Sequence, residues 1–394
     1  MRIAFITSCL EPGRDGVGDY TRLLAEECVR QGHECCLISL NDRLLTQLSQ
    51  SRIAVDGVKI PMLRLPANMP WNYRNASIKE LLASFKPEWV SLQFVPYGFQ
   101  DKGITIGLSK WLRPLVQGRR MHMMFHELWI GQYVGAAPKD RLIGFVQKFV
   151  ILRLVKQLQP SIIHTSNSVY IRMLQQLGIS ARHLPLFGAI PIGDKNGDDW
   201  LFPELQKLGL DVQTGNRSQF WLFGFFGTLH PIWPAEPLFT YLHQAGIQHQ
   251  RRIAIISIGC LGAGEQLWES LSKTYSCQFV FLRLGEQLPT KISEFFNSID
   301  FSIATSCYLL IGKSATVAAM LEHGLPVIVN RDDIQLSLGL TIPQDYEPLL
   351  YKMDSRLPDK VKNSLQRQVI RPRLKSTTIK FINELTDSSS FGKI

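Results

Sequence analysis

Residues 2–40 read RIAFITSCLEPGRDGVGDYTRLLAEECVRQGHECCLISL, and the order of patterns in this stretch decides the fold class. Arg2 to Ser8 is a short, continuous apolar run, as expected of a strand buried on both faces. A loop with Gly13, Gly16 and Gly18 follows, then an amphipathic run from Asp19 to Arg30, Gly32, and a second apolar run from His33 to Leu40. Strand, glycine-rich turn, helix and strand in that order open a parallel sheet. A helix that starts behind glycines offers backbone N–H groups and a partial positive charge, so an anion site is expected at this junction.

Outward from there the alternation continues. A weak strand (Val58 to Leu65), a helix (Ser77 to Phe85), a strand (Trp89 to Val95) and a helix (Ile104 to Val116) lead to a strand at Met121 to Phe125. A long basic amphipathic helix (Lys139 to Gln159), a strand (Ser161 to Thr165), a helix (Ser168 to Leu177) and a strand (Ala181 to Leu186) complete a first domain, 1–190. Residues 191–217, rich in Gly, Asp, Asn and Pro, read as a linker region. A second alternating series begins at Phe220 and defines a domain at 218–355. Residues 356–394 hold a last helix, about Asp359 to Leu385 with a break near Pro372, expected to pack back on the first domain. The fold class is therefore α/β, two Rossmann-like domains facing across a cleft, with ligands beyond the carboxyl ends of the strands.

Composition narrows the functions. The chain has 394 residues, 45% apolar and 19% charged, enough for two cores. No apolar stretch reaches the roughly 18 residues of a membrane span, and the first residues do not resemble a signal peptide. Seven cysteines without paired spacing are expected to be small buried hydrophobes in a reducing compartment, and no metal site is expected. All of the net charge of +10 falls in residues 1–190, which favours acidic partners. No nucleic-acid module accompanies it, so nucleic acid is not expected as a partner. The expected location is cytoplasmic, peripheral on an anionic membrane surface through the basic helix; the alternative is a plain solvated helix face.

Gly16-Val17-Gly18-Asp19-Tyr20-Thr21 nearly fits a dinucleotide fingerprint, with Thr21 at the third glycine and Asp42 after the second strand. A nicotinamide site, a structural turn, and close backbone approach to a phosphate or sugar all remain open, the last being favoured.

Four segments carry a family resemblance. Arg30-Gln31-Gly32-His33-Glu34, Phe125-His126-Glu127-Leu128-Trp129, Phe226-Gly227-Thr228-Leu229-His230-Pro231, and the run from Ala319 to Ile328 (AMLEHGLPVI) resemble, in order and spacing, glycosyltransferase family 4-like enzymes of the GT-B fold. The resemblance implies transfer of a sugar from a nucleotide-diphosphate sugar to an acceptor hydroxyl in polysaccharide or glycoconjugate biosynthesis. Retention of configuration, no metal and no cofactor beyond the nucleotide-sugar substrate come with it. The first domain would present a saccharide or lipid-linked acceptor and the second would hold the donor, with Gly16 and Gly18 closing over its phosphate and sugar.

The matched positions depart from the family at four places. Thr228 and Trp233 stand where an Arg and a Lys bind the diphosphate, and Ile311 and Ala319 stand where two glutamates are usual. Lys313 is then expected as the diphosphate cation, with Gly227, Thr228, Ser314 and Thr316 beside it, and His230 in place of the missing Arg. Glu322, one turn beyond Ala319, is expected either on a solvated face or on the ribose. His126 and Glu127 are the candidate catalytic residues, Trp233 covers a ligand or packs, and Tyr97, Gly98 and Phe99 line the acceptor side. Two other classes remain: a catalytically inactive glycosyltransferase-like binding or scaffold protein, and a nucleotide-binding oxidoreductase.

Overall fold

The computed structural model describes residues 1–193, 198–331, 348–353, 357, 361 and 371–390. The chain divides into two units: Met1–Leu186 with Leu374–Ile394, and Phe187–Ile334 with a second segment ending at Arg373.

Unit 1 contains β1 (Arg2–Thr7), α1 (Gly16–Arg30), β2 (Glu34–Asp42), β3 (Ser49–Val55), β4 (Val58–Pro66), α2 (Trp71–Phe85), β5 (Trp89–Phe94) and the short α3 (Pro96–Phe99). There follow α4 (Leu108–Val116), β6 (Arg120–Phe125), α5 (Pro138–Leu158), β7 (Ile162–Thr165), α6 (Ser168–Gln175), β8 (Arg182–His183) and a C-terminal helix, Leu374–Ser390. The sheet order is β3-β4-β2-β1-β5-β6-β7-β8, parallel throughout except for the β3–β4 hairpin. Ile3, Phe5 and Ile6 are wholly buried, which is why β1 reads as an unbroken apolar run. The C-terminal helix lies on this sheet, with the Phe381 ring 5.9 Å from Phe5 and 5.0 Å from His122.

Several expectations are corrected here. Helix α1 starts at Gly16, not Asp19, because Asp15 caps it by accepting the Val17 N–H. The two glycines thus form the first helical turn. Gly18 packs so tightly on the Cys9–Leu10 backbone that a Cβ would overlap the Cys9 carbonyl, whereas a Cβ at Gly16 meets nothing. Helix α2 starts six residues before Ser77, and β8 is two residues rather than six. Among the cysteines, Cys28, Cys35, Cys36 and Cys307 are buried, but Cys260 and Cys277 are exposed and Cys9 is half-buried; none is in a disulfide.

Unit 2 contains α7 (Asp198–Lys207), β9 (Phe220–Phe226), α8 (Glu236–Gln248), β10 (Arg252–Ile258), α9 (Glu265–Thr274) and β11 (Val280–Arg283). It continues with α10 (Pro289–Ser298), β12 (Phe301–Ala304), α11 (Ala315–Glu322), β13 (Val327–Val329) and β14 (Leu350–Lys352). All six strands are parallel in the order β11-β10-β9-β12-β13-β14, which is the Rossmann order 3-2-1-4-5-6. Helix α7 occupies part of the stretch expected as linker, burying Leu201 and Leu205 in the core under β9 and β10. The expected helix start at Asp359 lies outside the described residues; the described helix runs from Leu374 to Ser390.

The two helix-start glycines separate by stability. Gly18→Ala is expected to lower unfolding stability by about 1–3 kcal/mol through overpacking. Gly16→Ala is expected to be neutral or stabilising by up to about 1 kcal/mol. Urea unfolding of both variants checks this.

Candidate functional site

In a doubly wound sheet the strand order reverses where two parallel neighbours run their crossovers in opposite directions, leaving a crevice at their carboxyl ends. In unit 2 that point lies between β9 and β12. Strand β9 ends at Phe226, and Gly227 turns the chain with φ +74°, a conformation that disfavours any side chain. The Gly227 N–H donates to the Ile258 carbonyl at 2.9 Å. Thr305, just past β12, ties the loop down: its Oγ1 donates to the Thr228 carbonyl at 3.3 Å and accepts from the His230 N–H at 3.4 Å. From the other side comes α11, whose N-cap Ser314 accepts the Val317 N–H and bonds Thr316 Oγ1 at 2.8 Å. The Thr316 methyl lies against Gly227.

The structure therefore brings together Gly227, Thr228, His230, Ser314 and Thr316, with Lys313 ending the 3-10 turn Tyr308–Lys313 directly before the helix. Thr228 is exposed, and Lys313, Ser314 and Thr316 are half-buried. The His230 Nδ1 accepts the Ile232 N–H at 3.4 Å, which assigns the ring proton to Nε2 and makes that nitrogen a donor. Sequence reasoning missed Thr305 and Arg331. Arg331 follows β13 and donates to the Thr305 carbonyl at 3.3 Å. Neither sits in a motif; each was identifiable only as a residue just after a buried strand.

The departures have steric reasons. Trp233 is a core residue: its ring meets Phe225 and Phe239 edge-on, and its Nε1–H donates to Asn330 Oδ1 at 2.6 Å. It packs, and does not cover a ligand. Ala319 is buried with Gly188 pressed onto its backbone, and Ile311 packs on the same core. Glu322 is on no solvated face. It is 4% exposed, seven residues from the start of α11, and its Oε1 accepts the Gly188 N–H at 2.9 Å. Burial pushes its carboxyl up to about 7 despite that bond and the nearby Arg373.

In unit 1 the corresponding crevice lies between β1 and β5. Its helix terminus does not wait for an anion. Asp15 takes the Val17 N–H at 2.9 Å, and both Asp19 oxygens lie 3.1 Å from the Gly13 N–H. Burial raises the pKa of Asp15, because ionising it there is costly. Asp42, the residue expected on a dinucleotide ribose, is wholly buried and paired with Arg64 at 2.8 Å. That carboxylate is engaged by Arg64 rather than presented to a ribose. Gly98 packs against the Ser8 side chain. Beyond β6, His126 is 7% exposed, donates from Nε2 to Gln93 Oε1 at 2.9 Å, and meets the Tyr20 ring edge-on. Burial lowers its pKa to about 3, too low for a general base near neutral pH. Glu127 is half-buried in the same loop. Among the described residues no group of His, Cys, Asp and Glu is placed to hold a metal.

No protein-family model matches the chain, and no curated protein matches it. Solved structures do. The catalytic domain of starch synthase IV from Arabidopsis thaliana, bound to ADP and acarbose, is 12% identical, with 99% of each chain covered and a TM-score of 0.59. HepE from Anabaena in complex with UDP is 14% identical, covering 99% of this chain and 100% of that one, with a TM-score of 0.58. A trehalose 6-phosphate synthase from Burkholderia multivorans is 10% identical, covering 99% and 97%, with a TM-score of 0.59. With two Rossmann-like units in one chain, the fold is that of the GT-B glycosyltransferases.

Glu322 gives a pH test. Its folded value lies above the ordinary 4.5, so between there and about 7 the unfolded chain releases a proton that the folded chain keeps. Its contribution is complete below pH 4.5 and is lost as pH rises through 7. Glu322→Gln keeps the acceptor for Gly188 and is expected to be more stable than wild type at pH 8 by up to about 3 kcal/mol. At pH 4 the two should coincide. Thermal unfolding across that range measures the difference.

Proposed function

We propose that this chain transfers a glycosyl group from a nucleotide-diphosphate sugar to an acceptor hydroxyl. The observation that carries the reading is the junction in unit 2, where the Gly227–His230 loop, Thr305 and the Ser314-capped start of α11 meet at the strand reversal. A diphosphate leaving group gathers negative charge as the glycosidic bond breaks. The α11 dipole, the Lys313 ammonium and the His230 Nε2–H can stabilise that charge, while Ser314 and Thr316 hydroxyls bond phosphate or ribose oxygens. Gly227, without a side chain, lets the phosphates approach the backbone. The neighbours holding UDP or ADP support the nucleotide; metal independence and retention of configuration rest on the sequence resemblance.

In this reading the acceptor belongs to unit 1, with His126 recognising a hydroxyl rather than moving a proton and Glu127 as the candidate base. Gly16 is the glycine still open to a ligand, and Gly18 serves packing. Glu322 holds the Phe187–Gly188 segment against α11. The acceptor is a lipid-linked or polysaccharide precursor reached at an anionic membrane surface. Support comes from α5, where Leu142, Phe145 and Phe149 are 66%, 70% and 60% exposed in one stripe beside Lys139, Arg141 and Lys148. Among the described residues no helix is long and apolar enough to cross a membrane. The inactive binding-protein reading is favoured by one fact: Trp233 and Ala319 are core positions that admit neither the family's Lys nor its Glu.

Two measurements check this. Uridine, adenosine, guanosine or thymidine diphosphate should raise the melting temperature, and Lys313→Ala should weaken that binding about 10-fold or more, the worth of a charge-assisted bond. Stabilisation with no sugar released or transferred from any donor supports the binding protein; stabilisation by nicotinamide dinucleotides alone sinks both readings. Separately, the chain should co-sediment with phosphatidylglycerol vesicles at low salt, and Phe145→Glu with Phe149→Glu should abolish this. Equal recovery on phosphatidylcholine removes the anionic-surface reading.

A further inference from the structure

Unit 1 holds a line of polar side chains where an apolar core is usual. Ser91 and Gln93 on β5, His122 on β6 and His164 on β7 are each wholly buried. Ser91 stands directly opposite His122 in the strand register. The Phe381 ring covers His122, and Glu384, one turn further along the C-terminal helix, reaches His164. The bonds join end to end. His126 Nε2 to Gln93 Oε1 is 2.9 Å, Gln93 Nε2 to Ser91 Oγ 2.8 Å, and Ser91 Oγ to His122 Nδ1 2.8 Å. His122 Nε2 to His164 Nδ1 is 3.0 Å, and His164 Nε2 to Glu384 Oε2 is 2.7 Å.

One end of this line fixes every proton in it. A carboxylate only accepts, so His164 donates to Glu384 from Nε2 and its neutral Nδ1 accepts. His122 must then donate from Nε2 and accept at Nδ1, so the Ser91 hydroxyl donates to it. Ser91 oxygen accepts from the Gln93 amide, whose oxygen accepts from His126 Nε2–H. The last ring nitrogen, His126 Nδ1, is left as a lone pair. We propose that Glu384, through this one-way chain of hydrogen bonds, holds His126 in its Nε2–H tautomer and makes Nδ1 an acceptor for a ligand hydroxyl. Glu384 is thus a positioning residue that acts through four intermediaries.

The surroundings agree. Burial holds His122, His126 and His164 neutral, and for His164 it outweighs the pull of Glu384. Burial works against the Glu384 carboxylate, but the His164 bond and Arg182 at 3.2 Å lower its pKa and keep it ionised. The other charge facing His164 is Lys380, which also disfavours an imidazolium. A neutral acceptor suits a sugar hydroxyl and repels a phosphate oxygen. That assignment of ligand rests on the glycosyltransferase reading; the proton order does not.

Nitrogen-15 NMR of the histidine-labelled full chain without ligand, at neutral pH, tests the proposal, with each ring assigned by its own substitution. Protonated and bare ring nitrogens are well separated, and His122, His126 and His164 should all carry the proton on Nε2. A proton on His126 Nδ1 overturns the proposal. Ser91→Ala cuts the chain and frees Gln93 to rotate, so His126 should lose its single pattern and show both tautomers. Glu384→Leu should do the same if Ser91→Ala does not fold. Glu384→Gln, whose oxygen Arg182 still holds, should restore the wild-type pattern. An unchanged His126 spectrum in the cut variants overturns the coupling. Failure of sugar transfer with the NMR pattern intact removes only the ligand assignment.

Discussion

Each unit is organised by parallel strand pairing around the strand where the order reverses, β1 between β2 and β5, and β9 between β10 and β12. Parallel pairing aligns all carboxyl ends on one edge, and each return must cross over a face as a helix or long connection. Where crossovers leave in opposite directions, no helix fills the gap above the sheet. The backbone there has turning loops and helix starts rather than side-chain packing, so polar groups survive without a burial cost. The candidate binding residues of unit 2 lie at that edge except Glu322, which ends α11 and bonds Gly188, and the packing constraints of the layers below decide which side chains the edge can carry.

Those constraints treat the two edges differently. At unit 1, Asp15 and Asp19 already occupy backbone donors around the first helix start, and a second anion would meet two carboxylates. At unit 2 the helix start is capped by a neutral Ser314 with Lys313 beside it. The helix start at the strand reversal thus carries two carboxylates in one unit and a neutral cap beside a lysine in the other. The difference comes from two acidic residues and not from the fold.

Much of this was legible in the sequence. Strands β1, β2, β5 and β9 are buried on both faces and read as unbroken apolar runs. Strand β3 did not, because an edge hairpin exposes most of its residues and carries no alternation. Helix α1 was shortened by three residues since glycines look like loop when they are in fact chosen for close packing, as at Gly18. Helix α7 hid behind the Gly, Asp and Asn before it. The turn residues that meet at the unit 2 junction are legible in the sequence because turn residues announce themselves locally. What Glu322, Trp233 and His126 do was not readable. Their partners are Gly188, Asn330 and Gln93, 134, 97 and 33 residues away, and burial is set by those partners.

In the proposed function the nucleotide belongs on unit 2 and not on the glycine turn that opens the chain. Amide hydrogen exchange with and without a nucleoside diphosphate, read peptide by peptide, tests this most directly. Slowed exchange is expected at residues 227–230 and 313–317, with residues 13–19 unchanged. Protection at 13–19 with none in unit 2 would contradict it.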